Sequence, residues 1–107
     1  MADQKLTEPK ADEAQSDELF WRVTDQFIGH ANELMKGNDV GVVNAAFIFA
    51  SARFNTFLIA TQCGNKETFE AEKAAALEYF VNQYKIALTE HMSDYQTNFD
   101  KYISQSV

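Results

Sequence analysis

Few residues in this chain have the type and spacing that chemistry needs. Arg53 comes first. It is the one charge between Asp39 and Gly64, in a run that reads Val40 to Cys63 and is otherwise apolar or weakly polar. A guanidinium there calls for a carboxylate or a set of carbonyls around it. Asp25, Glu33, Glu78, Glu90 and Asp94 are the candidate partners. The structural reading is an ion pair, or an edge arginine whose head reaches water. The functional reading is an anchor for an anion or carboxylate, since the guanidinium is a rigid fork of donors. Asn55 is the neighbouring amide, but two residues on a helix stand about 160° apart. Arg53 and Asn55 therefore do not readily share one ligand.

The two histidines each have an acid three residues on, as His30-Ala-Asn-Glu33 and His91-Met-Ser-Asp94. On a helix such a pair shares one face and could present metal ligands. The di-iron bundle pattern, however, places the glutamate before the histidine and adds glutamates from other helices. Neither histidine has an acid three before it, and no His-Glu-x-x-His is present. The structural reading is a buried or edge histidine bonded to a neighbour. Tyr84 and His91 share the apolar face of the third helix with Phe80 and Tyr95. Arg53, Asn55, His91 and Tyr84 are thus the candidate ligand or partner contacts. No catalytic residue, metal site or cofactor is expected.

Cys63 is the only cysteine. It permits no intrachain disulfide and reads as a small buried hydrophobe. No glycine-rich phosphate loop and no Gly-x-Ser-x-Gly occur. Enzyme chemistry has no constellation to stand on.

The elements that must position these residues are helices. The chain has 107 residues, 46% of them hydrophobic, nine Phe and four Tyr among them, with four glycines and one proline. That profile suits long helices with few turns. A first helix is expected from about Asp17 to Lys36, with Phe20, Val23, Phe27, Ala31 and Leu34 at helical spacing. Ser16 or Asp17 would cap it, and Gly37 would stop it.

The second helix is the apolar run itself, capped by Asp39 and stopped by Gly64. At 100° per residue it shows two apolar arcs. One is bulky: Val43, Phe47, Ala50, Phe54, Phe57. The other carries smaller groups: Ala45, Ile48, Phe49, Ala52, Ile59. Asn44, Ser51, Asn55 and Gln62 separate them on one side, Arg53 near Thr56 on the other. That stripe is either a solvated edge or a buried ladder that sets partner register. A helix apolar on more than one side must be covered nearly all round, so this one is expected at the centre of a helical assembly. It also has the length of a membrane span. Arg53 near its middle would cost about 2.5–3.5 kcal/mol on insertion scales, and the amides add to that, so no membrane is expected.

The third helix begins after Asn65. Phe69, Ala76, Phe80, Tyr84, Ala87, His91, Tyr95, Phe99 and Tyr102 keep a helical period. Run through to Ile103 it would reach roughly 55 Å, against about 30–36 Å for the other two. The overhang with Tyr95, Phe99 and Tyr102 should not stay wet. Either a second copy covers it, or the helix breaks near Ser93-Asp94, where Ser93-Asp94-Tyr95-Gln96 fits a capping box. The uninterrupted period favours a continuous or kinked helix. Heptads are not sustained enough for a classical coiled coil.

The net charge is −7. No basic stripe stands out, so nucleic acid is an unsuitable partner. Residues 1–16 offer only Leu6 as a large apolar group and are expected to be a disordered acidic, polar tail. Residues 17–107 are expected to form a single helical domain. No positive region followed by an apolar stretch opens the chain, so a secretory signal is not expected. With the lone cysteine, this points to the cytoplasm.

Several strings resemble a known family: Phe20-Trp21 with Asp25-Gln26-Phe27-Ile28, Ala52-Arg53-Phe54-Asn55-Thr56-Phe57, Glu78-Tyr79-Phe80 with Gln83-Tyr84, and Asp94-Tyr95 with Asn98-Phe99-Asp100-Lys101-Tyr102. They are similar to a family of small bacterial proteins catalogued only as a domain of unknown function. The resemblance covers roughly residues 18–103, and Ala-Arg-Phe-Asn-x-Phe is its most specific part. It implies a stand-alone, all-helical, proteobacterial protein with no assigned activity, and it brings no site residues.

The expectation is therefore an all-α chain of three long helices, completed as a bundle by dimerisation. Its expected role is a non-enzymatic oligomerisation or protein-interaction module, with a homodimer or a protein partner as its associate. The alternative is a small-molecule-binding bundle with a pocket near Arg53 or His91.

Overall fold

The computed structural model describes the backbone of residues 13–103 and the side chains of residues 16–103. The expected tail lies mostly outside the described residues. All regular structure among them is helical: α1 (Glu13–Met35), α2 (Val40–Cys63), α3 (Lys66–Thr97) and a short α4 (Phe99–Ile103). The chain divides into two units, Met1–Gln62 and Cys63–Val107.

In the first unit, α1 starts at Glu13, earlier than Asp17, which therefore sits inside the helix and does not cap it. The connection to α2 is set by local bonds. Lys36 N donates to Glu33 O at 3.1 Å, and Asn38 Nδ2 donates to Leu34 O at 2.7 Å. The asparagine side chain thus satisfies a carbonyl that the end of α1 leaves open. Asp39 then caps α2 as expected: its Oδ2 accepts from Val42 N at 3.1 Å. Thr56 and Thr61 sit inside α2 by turning their hydroxyls back onto the Ala52 and Phe57 carbonyls, at 2.9 and 2.8 Å.

Gly64 holds a φ of +82°. That left-handed residue is what a helix stop after Cys63 requires, and glycine adopts it without penalty. In the second unit, Asn65 caps α3, its Oδ1 accepting from Thr68 N at 2.8 Å.

α3 runs unbroken through Ser93 to Thr97. The capping-box reading at Ser93 fails because the helix is already 27 residues along and its backbone donors there are satisfied. The interruption falls at Asn98, with φ −117° and ψ 32°. α4 then packs against the end of α3.

Burial departs most from expectation. Val43, 8% exposed, is the sole buried residue among the described ones. Phe20, Trp21 and Phe27 of α1 are exposed, as are Phe49, Phe54 and Phe57 of α2. α2 is also the one helix among the described residues long and apolar enough to cross a membrane.

Candidate functional site

Two places gather the candidate residues, one in each unit. In the first, α2 turns Phe49, Ala52, Arg53, Thr56 and Phe57 to one side, and these five line a shallow concavity. The reason is spacing. Phe49, Arg53 and Phe57 follow one another at four-residue intervals and so stack along one helix face. Phe49 is 70% exposed and Phe57 62%. Arg53 thus lies between two exposed aromatic positions on one face of α2. Thr56 offers no free proton, because its hydroxyl is spent on Ala52 O.

Arg53 has no ion pair among the described residues. Two of its candidate partners are engaged elsewhere. Glu33 pairs with Lys36 at 3.1 Å on the surface of α1, and Asp94 is held by two neighbours in its own unit. Of the two structural readings, an ion pair or an edge arginine whose head reaches water, the exposed side chain agrees with the second. Asn55 is half-buried and points to the other side of α2. The structure does not bring Arg53 and Asn55 together.

In the second unit, Tyr84 and His91 both lie on α3 and are exposed. Seven residues separate them, so they are two turns apart on one stripe, roughly 10 Å. His91 is no buried histidine. Cys63 is half-buried rather than buried. Among the described residues no group of three or more His, Cys, Asp and Glu side chains could hold a metal ion.

The most organised polar cluster was not foreseen. Asp94, Asn98 and Tyr102 form a latch across the α3–α4 break. Asn98 N donates to Asp94 O at 2.9 Å, and Asn98 Nδ2 donates to Asp94 Oδ1 at 2.8 Å. The Tyr102 phenol donates to Asp94 Oδ2 at 2.6 Å. Its ring stacks on Tyr95 with centroids 4.4 Å apart and planes at 24°. Lys101 Nζ lies 5.9 Å from the same ring centre.

These bonds stabilise the ionised carboxylate. The Tyr102 phenol, then the Asn98 amide, hold Asp94 below the usual carboxylate range, with the charges of Lys101 and His91 acting the same way. Conversely the Asp94 carboxylate pushes the Tyr102 phenol up. The signal in the sequence was the spacing Asp94-x-x-x-Asn98-x-x-x-Tyr102, one side of a helix for three successive turns. It is an anchoring arrangement, since the Asn98 amide and the Tyr102 phenol both donate to the Asp94 carboxylate.

The family is decided by the sequence between these places. A family model described as "Protein of unknown function (DUF3144)" matches residues 20–96. The chain belongs to this family. The match takes in α2 with its Arg53 face and most of α3, and it stops short of Asn98 and Tyr102. No curated protein matches the chain. No solved structure matches it either. Membership in DUF3144 brings the chain a family and no activity.

Proposed function

We propose that this chain is a non-enzymatic helical module for oligomerisation or protein interaction, acting as a homodimer in the bacterial cytoplasm. One observation carries the reading: large apolar side chains are exposed along all three long helices, with Val43 alone buried among the described residues. Burying a Val, Leu, Ile, Phe or Met side chain stabilises by about 1.5–3 kcal/mol. Ordering each residue costs about 1–2 kcal/mol. Isolated helices are marginal in water, and packing of their apolar faces supplies most of their stability. Helices with faces this apolar need cover, and a second copy is the cover always at hand.

The aqueous setting is supported by Arg53 and the amides of α2, each unfavourable in lipid. The acidic balance is unsuited to phosphate backbones and anionic lipid. Native mass spectrometry of protein purified from its own host tests the reading. A dimer or higher even assembly, without bound metal or cofactor, is the expected result. A bare monomer would contradict it.

A second reading rests on the concavity beside Arg53. There, a small carboxylate would lie against the guanidinium with its apolar part between Phe49 and Phe57. The same spectrum decides it, by a retained small-molecule mass that disappears in Arg53→Ala.

A further inference from the structure

The break at Asn98 is held by side chains, not imposed by the backbone. Asn98 is the one residue outside a helix between Lys66 and Ile103. The sequence there is Gln96-Thr97-Asn98-Phe99-Asp100, with neither proline nor glycine. A sharp helix bend without either needs another cause, such as a side chain turned into the backbone ladder. The apolar period also runs on across the break, through Tyr95, Phe99 and Tyr102. No local residue forbids a helix that continues to Ile103.

The break leaves backbone bonds unmade. Asn98 N donates to Asp94 O across it, and Tyr102 N donates to Asn98 O. Between them, the N–H groups of Phe99, Asp100 and Lys101 have no backbone acceptor among the described residues. In a straight helix they would donate to the carbonyls of Tyr95, Gln96 and Thr97.

Other contacts come in exchange. The Tyr102 phenol donates to Asp94 Oδ2 at 2.6 Å, and its ring stacks on Tyr95 at 4.4 Å. Neither fits a straight helix. There Tyr102 would stand about 12 Å from Asp94 along the axis, and about 10 Å from Tyr95. Side chains lean toward the N-terminus of their helix, so Asp94 and Tyr95 would lean away from Tyr102. The Asn98 amide bond to Asp94 spans four residues and suits either form. The two sets therefore exclude each other. Three neutral backbone bonds, exposed to water, stand on one side. A bond to an ionised carboxylate, roughly twice as strong as a neutral one, and a ring stack stand on the other.

We propose that the α3–α4 junction is a two-state hinge, latched by the Tyr102 phenol on Asp94 and, once unlatched, continuous as one helix from Lys66 to Ile103. Opening places Tyr95, Phe99 and Tyr102 on one stripe and lengthens α3 by about 9 Å. The hinge thus sets how far the apolar side of α3 extends. It operates within one chain and does not depend on self-association.

Amide-resolved hydrogen exchange by NMR on the full chain tests it. In the unmodified chain the N–H groups of Phe99, Asp100 and Lys101 should exchange freely. Tyr102→Phe removes the phenol, and Asp94→Asn removes the charge. In each variant those three amides should slow about ten-fold, as their backbone bonds form, and the Asn98 Cα shift should move to a helical value. If the three stay unprotected in both variants, releasing the latch does not straighten the chain and the hinge is overturned. Added loss of protection at Tyr102 would show α4 fraying instead. Protection of the three in the unmodified chain would overturn the latched state itself.

Discussion

The Tyr102 phenol reaches the Asp94 carboxylate at 2.6 Å across the backbone break at Asn98. That bond ties α4 to α3 and stacks Tyr102 on Tyr95, while Phe99 and Ile103 stay exposed. The helix expected to run through to Ile103 is interrupted at Asn98.

The latch sets a pH window. Asp94 is depressed in the folded chain, so its contribution is present above the ordinary carboxylate range and lost as pH falls through its lowered value. Tyr102 is raised, so its contribution is present below the ordinary phenol range and lost as pH rises through its raised value. Near-ultraviolet circular dichroism of the tyrosines should stay level between these limits and change at both. Tyr102→Phe should bring the Asp94 carboxyl back toward its ordinary value in a carbon NMR titration. An unchanged Asp94 titration in that variant would remove the latch.

Ser93 distinguishes a continuous helix from a cap. Inside α3, Ser93→Ala should leave stability level or raise it by up to about 0.5 kcal/mol, because alanine is the better helix former. At a cap the same change would cost about 1 kcal/mol. Denaturant unfolding gives the sign directly.

Gly64 takes the left-handed conformation between α2 and α3. At φ +82°, Gly64→Ala should cost about 1–2 kcal/mol, although open space surrounds the position. Gly37 has no positive φ, and Gly37→Ala should change stability by less. Thermal unfolding of the two variants provides the comparison.

Much of this was legible in the residues. Asp39 and Asn65 announce helix starts, and Gly64 a helix stop, because each meets a local backbone demand that few residue types satisfy. The three long helices follow from apolar spacing alone. The break at Asn98 was not legible. It depends on a side chain eight residues from the one it binds, while Ser93-Asp94-Tyr95-Gln96 offered a closer and more familiar signal. The candidate site was legible only in part. Sequence placed Arg53 among apolar neighbours, but whether that face is covered depends on tertiary packing, which spacing does not encode.

Arg53 tests how that face is used. Exposed and without an ion pair among the described residues, it should tolerate Arg53→Ala with a change in stability of no more than about 0.5 kcal/mol. A loss of about 3–5 kcal/mol would instead signal a buried charge pair.

Sedimentation velocity over a range of protein concentrations tests self-association most directly. The account predicts a species of twice the 12.1 kDa chain mass, dissociating on dilution. A single species at the chain mass at every concentration would contradict it.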